Sequence, residues 1–309
     1  MNPFAAAFSG REFPTRMGVK DETMKSVWVV LVSYTNPKIT LECIRSLERV
    51  RTEHETHIVV VDNASPDGAY EELEKLRSGW TLIQSGKNGG FAFGNNIGIR
   101  HALDRGADYV LLLNNDTEVQ SDFLDPLVAY LENYPGVGIA APQILYDAGR
   151  DRIWSLGGTL DTRRMVGMNG RMGEAGPVAG EPFPATFLSG CAMLIRREVF
   201  AAAGLLPEEY FMYYEDADFG YTVKKSGYLM ACVPASIVYH KVSLSSGGED
   251  SPFSIEHMTR SHRIFLRRVR ERNLMKLGYI VLRKTARALL YLVEGKADKA
   301  KAIVKGWIR

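Results

Sequence analysis

Short, continuous apolar runs punctuate the first third of the chain. Three of them lie at residues 27–32, 58–62 and 109–116, and the last two end in Asp62 and Asp116. Runs of this length are typical of strands buried on both faces of a parallel sheet, and open α/β sheets bind ligands at the carboxyl ends of their strands. The pattern therefore predicts an α/β domain that places two carboxylates at a nucleotide-binding edge, with Asp116 positioned for a metal carried by the nucleotide.

The rest of the pattern predicts further helices and strands around this sheet. Helices are predicted at residues 36–47, 69–77, 123–133 and 216–226, and a glycine-rich loop at 87–96 runs into another helix. Strands are predicted at residues 80–84, 188–195 and 236–240. Residues 149–184 are rich in Gly and Arg with weak periodicity, which predicts extended or mobile structure near the acceptor.

The last 50 residues differ from the rest of the chain in charge. Residues 260–309 contain 15 Lys and Arg against 3 Asp and Glu, whereas the remaining chain contains 23 against 33. Two apolar runs, 277–282 and 288–293, are separated by basic residues and are far shorter than the ~18 apolar residues of a spanning helix. Two compatible interpretations remain open: basic amphipathic helices on an anionic membrane surface, or a helical cap on the preceding domain.

Length and composition favour a main domain with two extensions. We predict an N-terminal extension at residues 1–25, an α/β domain at 26–255 and a basic helical extension at 256–309. Three widely spaced cysteines without a CxxC pair favour a reducing compartment over a disulfide framework or zinc site. The first 24 residues contain only a five-residue apolar patch, which is too short for a signal peptide. These features predict a cytoplasmic protein, and a homo-oligomer is left open.

Four motifs in order give a more specific expectation. They are Val-Val-Asp-Asn-Ala-Ser at 60–65, Asn-Gly-Gly-Phe-Ala at 88–92, Leu-Leu-Asn-Asn-Asp at 112–116 and Tyr-Glu-Asp-Ala-Asp-Phe-Gly at 214–220. In this order the motifs resemble family 2 glycosyltransferases, which are inverting enzymes of the GT-A fold, and most closely their rhamnosyltransferase branch. The resemblance covers roughly residues 26–245 and leaves the two extensions outside it.

The resemblance implies a nucleotide site along the strand ends. Asp62 is expected to accept a hydrogen bond from the N3–H of uracil or thymine. A competing role, capping the helix at 69–77, belongs more naturally to Asp67. The other predicted nucleotide contacts are Ser33, Tyr34, Asn88, Gly89, Asn95 and Asn115.

A divalent cation, Mg²⁺ or Mn²⁺, is the predicted cofactor. Asn114-Asn115-Asp116 replaces the commoner Asp-x-Asp of the family, so Asp116 alone supplies the carboxylate for an ion that prefers oxygen ligands. The resemblance adds His240 as a second ligand through a neutral imidazole nitrogen. The alternatives are that Asp116 caps a following helix and that His240 is a structural residue at the end of its strand.

The acidic cluster at 215–218 is the predicted catalytic element. By resemblance Asp216 is the general base, while Glu215 and Asp218 position the acceptor and the helix. Carboxylates at the start of a helix are also favoured by the helix dipole alone, which is the simpler explanation for three acids there. Trp154 and Tyr213 are predicted to contact the acceptor, because sugar rings stack on aromatic faces.

Other classes fit the sequence less well. The glycine-rich loop lacks the G-x-G-x-x-G spacing of a dinucleotide site, and no basic phosphate loop follows the first strand as a nucleotidyltransferase requires. No nucleic-acid partner is expected. We predict an inverting transferase that uses dTDP-L-rhamnose, or alternatively a UDP-hexose or galactofuranose donor, and a glycan or glycolipid acceptor at the inner face of a membrane. The remaining alternative is a catalytically silent assembly protein at the membrane surface.

Overall fold

The computed structural model describes residues 24–242 and 250–308. The predicted N-terminal extension lies outside the described residues except for residues 24 and 25. The strands are β1 (Ser26–Ser33), β2 (Glu55–Asp62), β3 (Thr81–Gln84), β4 (Tyr109–Asn114), β5 (Thr117–Val119), β6 (Val137–Tyr146), β7 (Ile153–Leu156), β8 (Gly158–Asp161), β9 (Val166–Asn169), β10 (Phe183–Ala185), β11 (Ala192–Arg196) and β12 (Leu229–His240). The helices are α1 (Pro37–Leu47), α2 (Ala69–Leu76), α3 (Gly90–Asp104), α4 (Leu124–Asn133), α5 (Arg197–Ala203), α6 (Glu215–Lys225), α7 (Pro252–Arg268), α8 (Leu274–Val293) and α9 (Ala297–Ile308).

Ten strands form one mixed sheet in the order β10-β12-β6-β11-β4-β1-β2-β3, with β5 and β7 attached to β12 and β6. Strands β1, β2, β3 and β4 are parallel, and their register places Ser33 opposite Asp62 and Val32 opposite Asn114. Because parallel strands end at the same edge, the polar ends predicted from the sequence come together there. The predicted α/β fold with a mostly parallel sheet is confirmed.

The core lies on both faces of this sheet. On β1, Val29 faces a cluster that contains Leu41 of α1 and Leu127 of α4. Its neighbour Val30 faces a second cluster with Ile99 of α3 and residues of α5 and α6. Successive strand residues point to opposite faces, so a strand covered on both sides must be apolar throughout. This explains the unbroken apolar runs of the sequence.

Two strands of the sheet differ from the sequence pattern. Strand β6 was not predicted, because Pro142 and Gln143 interrupt its apolar run although both lie in the strand. The strand predicted at 188–195 begins at Ala192, since the chain at Gly190 bends toward α6 before entering the sheet. The region 149–184 is largely extended, as predicted, and contains β7, β8, β9 and the start of β10.

The basic C-terminal region forms α7, α8 and α9. Phe265 of α7 is fully buried in a cluster with Tyr210 and Tyr214, so this helix packs on the α/β domain. Helix α9 in turn lies close to α7. The absence of a side chain at Gly306 permits this contact, since a Cβ there would lie 2.3 Å from the carbonyl oxygen of Glu256. The predicted domain boundary at 255/256 falls inside α7. No helix in the described part of the chain is both long and apolar enough to cross a membrane.

Candidate active site

A cavity of about 780 Å³ opens at the edge where β1, β2 and β4 end. The amino termini of α3 and α6, the end of β12 and helix α7 complete its walls. Many of the predicted site residues line this one cavity. They are Tyr34, Asn88, Asn115, Asp116, Trp154, Tyr213, Glu215, Asp216 and His240.

The glycines of α3 allow that helix to lie close to its neighbours. A Cβ at Gly90, whose φ is +88°, would lie 2.0 Å from the carbonyl oxygen of Phe211. Farther along the helix, a Cβ at Gly94 would lie 2.8 Å from the side chain of Val32. The glycines of this segment therefore serve the packing of α3 against β1 and against the loop before α6.

Asn63 links the end of β2 to the start of α3 at the edge of the sheet where the cavity opens. Sequence reasoning missed this role. Its amide nitrogen donates to Asn88 Oδ1 and to the carbonyl oxygen of Gly90, both at 3.1 Å. Asn88 Oδ1 also accepts from the N–H of Gly90 at 3.1 Å. These hydrogen bonds hold the end of β2 against the start of α3. In the sequence, the Asp62-Asn63 pair of the motif at 60–65 was the signal that could have identified this role.

Asp62 is fully buried, and both of its carboxylate oxygens have partners. Ser65 donates its backbone N–H at 3.0 Å and its hydroxyl at 2.5 Å. Asp67 accepts from the N–H of Ala69 at 3.3 Å, which agrees with the expectation that Asp67 rather than Asp62 serves the start of α2. Asp62 does not line the cavity in this arrangement, so a contact with the nucleotide base stays a prediction.

Asp116 and His240 form the candidate metal centre. The Asp116 Oδ1 atom lies 3.2 Å from His240 Nε2, and both side chains are largely buried but face the cavity. The pairing of β5 with β12 brings them together, since His240 lies opposite Thr117. Asp116 precedes a strand rather than a helix, so the helix-capping alternative is wrong.

The surroundings of His240 favour the protonated, positively charged form of its ring. Burial lowers the pKa of His240, but Cys191 and the Asp116 carboxylate raise that pKa by more, so the net shift is upward. Trp154 packs its edge on the imidazole, with ring centroids 4.5 Å apart. A carboxylate and an imidazole nitrogen 3.2 Å apart fit two ligands of one small cation, and among the described residues no third His, Cys, Asp or Glu joins them. A hard cation held this way would take its other ligands from phosphate and water.

The backbone before α6 adopts an unusual conformation. Tyr213 and Tyr214 have φ angles of 66° and 72°, in the left-handed region that bulky side chains rarely occupy. Such conformations persist only where the surroundings enforce them, and they concentrate at functional sites. Here they turn the chain so that Glu215 and Asp216 begin the helix at the cavity wall.

Asp216 and Glu215 are two adjacent buried acids with different partners. Asp216 accepts hydrogen bonds from the N–H of Gly190 at 3.1 Å and of Ala217 at 2.7 Å, while burial raises its pKa. Burial and the charge of Asp216 raise the pKa of Glu215 to about 8, and its Oε2 has no partner in the described structure. The arrangement favours an ionised Asp216 beside a protonated Glu215.

Asp218 faces away from the cavity and has structural partners. It accepts from the Tyr210 hydroxyl at 2.7 Å and pairs with the guanidinium of Arg268 from α7. Its placement does not support the predicted contact with the acceptor.

Three predicted nucleotide contacts also lie outside the cavity lining. The Ser33 hydroxyl is 2.9 Å from that of Thr40, and Asn95 donates to the Phe91 carbonyl at 3.0 Å. Gly89 lies under the ring of Phe93, where a Cβ would be 2.3 Å away. Ser33 and Asn95 form local hydrogen bonds, and Gly89 makes room for a neighbouring ring. A nucleotide contact from any of the three stays a prediction.

Helix α7 holds the loop that precedes Asp216. Ser261 donates its hydroxyl to the carbonyl oxygen of Met212 at 2.9 Å, and the Tyr213 hydroxyl is 3.1 Å from Ser254 Oγ. Tyr214 stacks on His262 of the same helix. Sequence reasoning missed this contribution because the signal, polar residues at helical spacing in a basic segment, resembles an ordinary solvated face.

Comparison with known proteins identifies the family of this site. The family model described as Glycosyl transferase family 2 matches residues 28–204. A dTDP-rhamnosyl transferase, RfbF, of Shigella flexneri is 25% identical over 218 residues, which cover 70% of this chain and 69% of that protein. The N-acetylglucosaminyl-diphospho-decaprenol L-rhamnosyltransferase of Mycobacterium tuberculosis is 26% identical over 249 residues, covering 74% of this chain and 80% of the relative.

A solved structure shares the fold. The crystal structure of GalNAc-T7 with UDP, GalNAc and Mn²⁺ superposes with a TM-score of 0.61 at 19% identity. The match covers 79% of this chain, which spans about half (48%) of that longer chain. At this identity the likeness concerns the GT-A fold.

Proposed function

The chain belongs to glycosyltransferase family 2, and from this membership we propose that it is an inverting, metal-dependent transferase acting from a nucleotide sugar onto a glycan hydroxyl. One observation carries the proposal: Asp216 and the Asp116–His240 pair line the same cavity. A buried base and a cation site at one cavity are what displacement of a nucleoside diphosphate requires. A catalytically silent protein would have no need to keep these groups together.

Asp216 is the proposed general base. The acceptor oxygen forms its bond to the anomeric carbon while the bond from that carbon to the phosphate oxygen breaks. The proton of the acceptor hydroxyl passes to the Asp216 carboxylate, and the bonding electron pair departs with the nucleoside diphosphate. The N–H groups of Gly190 and Ala217 hold the carboxylate in place, and a protonated Glu215 beside it adds no second negative charge.

Asp116 and His240 are the proposed metal ligands. When bound, Mg²⁺ or Mn²⁺ neutralises the charge that develops on the departing diphosphate. Trp154 fixes the imidazole from one side, and the β5–β12 pairing fixes the separation of the two ligands. With only one carboxylate, the site is expected to bind the free ion weakly and to bind it better together with the donor.

The proposed donor is dTDP-L-rhamnose, with a UDP-hexose or a galactofuranose donor as the alternative. Support comes from the two bacterial relatives, both named as rhamnosyltransferases, one of them for dTDP. A panel of dTDP, UDP and GDP sugars, tested by thermal shift with Mn²⁺, distinguishes the donors because a ligand at 100 times its Kd adds about 2.7 kcal/mol of stability. In a turnover assay of the same panel, we expect nucleoside diphosphate to be released only from dTDP-rhamnose. If no nucleotide sugar shifts the unfolding temperature and none releases its nucleoside diphosphate, the proposed function is contradicted.

A lipid-linked glycan at the inner face of a membrane is the proposed acceptor. The name of the mycobacterial relative includes N-acetylglucosaminyl-diphospho-decaprenol, a sugar joined through a diphosphate to a lipid chain. The outer face of α8 exposes Leu282, Leu289 and Val293, the last at 85% exposure, beside Arg283 and Arg287. An apolar helix face flanked by basic residues binds anionic membrane surfaces reversibly.

Vesicle binding tests this location. Vesicles containing phosphatidylglycerol should retain the protein and release it as salt rises, while vesicles of phosphatidylcholine should bind it much less. Leu282→Gln should weaken binding, whereas Leu76→Gln, at an exposed leucine of α2, should leave it unchanged. Equal binding to both kinds of vesicle, or equal effects of the two substitutions, would contradict it.

A further inference from the structure

A second cavity, of about 380 Å³, lies among the three C-terminal helices. It is lined by Asp250, Ile255, Met258, Thr259, Lys284, Arg287 and Ile303. Lys284 and Arg287 lie one turn apart on α8 and bring two cations to one wall. None of the family motifs recognised in the sequence includes these residues.

Lys284 is an incompletely compensated cation. The residue is half-buried, and its ammonium group donates to the Thr259 hydroxyl at 3.4 Å. No carboxylate within the described residues lies within ion-pair distance of it. Burial and Arg287 together lower the pKa of Lys284 to about 8, and Lys284 in turn lowers the pKa of His262 on α7. Burying a cation without a counter-ion is costly, so an anion bound here would be stabilised.

Asp250, the acidic residue among the described ones that line this cavity, already has partners in other groups. Asp250 pairs with Lys299, accepts from the Tyr291 hydroxyl at 3.1 Å, and lies 4.0 Å from Arg287. These partners lower the pKa of Asp250, so it is ionised but compensated. The guanidinium of Arg287 also donates to the Tyr291 hydroxyl at 2.8 Å, which holds it toward the cavity. Among the described residues that line the cavity, two cations face one carboxylate, so this lining has an excess of positive charge.

Two neighbours connect this cavity to the reaction. Met258 lines both cavities, so the basic cavity and the one that contains Asp216 adjoin at this side chain. On α8, the exposed Val281 lies one turn before Lys284, and the exposed Leu282 and Leu289 lie farther around the same helix. The cavity with Asp216, the basic cavity and the exposed apolar residues of α8 thus follow one another. A molecule that carries a sugar, a phosphate group and a lipid chain in that order could contact all three.

We propose that the cavity among α7, α8 and α9 binds the diphosphate of a lipid-linked acceptor, through Lys284, Arg287 and the Thr259 hydroxyl. The acceptor sugar then passes Met258 toward Asp216, and the lipid chain leaves along α8. The inference rests on the proposed function and assigns a binding site to the diphosphate of the proposed acceptor. It also gives the basic tail a specific ligand in addition to its general attraction to anionic membranes.

Calorimetric titration with farnesyl diphosphate, below its micelle concentration and with dTDP and Mn²⁺ present to fill the donor site, tests the proposal. Lys284→Met and Arg287→Met should each raise the Kd about tenfold or more, because each removes a charge-assisted hydrogen bond. Arg283→Met is the matched control, since Arg283 lies on the same helix, is exposed and does not line the cavity. It should change the Kd less than twofold, and Lys284→Gln provides a second variant if Lys284→Met does not fold.

Three further measurements separate the sources of phosphate. Farnesol should not bind, and inorganic diphosphate should bind more weakly than farnesyl diphosphate but with the same dependence on Lys284. Equal Kd values for the Met variants and the control, or inorganic diphosphate binding as tightly as farnesyl diphosphate, would overturn the proposal. So would a loss of phosphatidylglycerol vesicle binding in Lys284→Met without any change toward farnesyl diphosphate. A missing thermal shift with dTDP would count against the donor assignment alone, because the farnesyl diphosphate titration is read independently.

Discussion

The ring of Tyr214 stacks on the ring of His262, with centroids 5.1 Å apart and planes 11° from parallel. Tyr214 directly precedes the two acids at the start of α6, and His262 belongs to α7 in the basic tail. Burial and Lys284 lower the pKa of His262 to about 3, so the stacked imidazole is neutral at physiological pH. The tail thus supports the strained loop that presents the proposed base.

Removing this stack should reduce activity and stability together. His262→Ala is expected to lower kcat and to destabilise the protein by about 2–4 kcal/mol, since it removes an aromatic contact and leaves a void. His262→Phe keeps a neutral ring and should retain most of both. Turnover measurements and thermal unfolding of the two variants provide the check, and an equal loss in both would show that the ring contact is not what matters.

Breaking the Asp218–Arg268 pair should destabilise the fold without weakening donor binding. Arg268→Met leaves Asp218 buried without its cation, which typically costs about 3–5 kcal/mol. Glu209→Gln removes only the exposed partner of the same arginine and should cost less than about 1 kcal/mol. Denaturant unfolding gives these values, and nucleotide titration tests donor binding. Weaker nucleotide binding by Arg268→Met would contradict a purely structural role for the Asp218–Arg268 pair.

Asp216→Asn should reduce turnover by about 10²–10⁴ while leaving the nucleotide Kd nearly unchanged, because the amide keeps the shape but cannot accept the proton. Glu215→Gln should have a smaller effect, since Glu215 is expected to be neutral already. Steady-state rates with saturating donor measure both. If the order of the two effects is reversed, the base is Glu215.

The buried Glu215 should make stability fall as pH rises. Its pKa is raised from 4.5 to about 8, so between these values the folded protein keeps a proton that the unfolded chain has lost. The free energy of unfolding then decreases toward high pH, by at most about 1.4 kcal/mol per pH unit for one proton. Glu215→Gln should flatten this slope and stabilise the protein most near pH 8. Parallel slopes for the two proteins in urea unfolding from pH 5 to 8 would contradict the assignment.

Removing the metal should abolish transfer. Excess chelator and Asp116→Ala are each expected to reduce turnover by at least about 10², because the charge on the departing diphosphate is left without compensation. Asp104→Ala, at an exposed position near the end of α3, is the control and should behave as the unmodified chain. Added Mn²⁺ should restore the chelated enzyme. Full turnover in excess chelator would leave His240 a structural residue.

The sequence determined the parallel strands β1 to β4 and the polar residues at their ends. A strand covered on both faces must be apolar along its length, so the run before Asp116 could be recognised without knowing its neighbours. The family motifs then marked Asp216 and Asp116, the resemblance added His240, and all three line one cavity of the structure. Local pattern was sufficient here because each signal lies within a few consecutive residues.

The tertiary structure alone decided which of the remaining polar residues face the cavity. Asp216 and Asp218 differ by two positions on one helix, yet Asp216 faces the cavity and Asp218 meets Arg268 from a segment 50 residues away. The tail is likewise ambiguous in sequence, since a helix that buries Phe265 and one that exposes Leu282 have similar basic, amphipathic patterns. Contacts with residues distant in sequence decide which side chains are buried. A local pattern identifies the apolar face of a helix but not the part of the protein that covers this face.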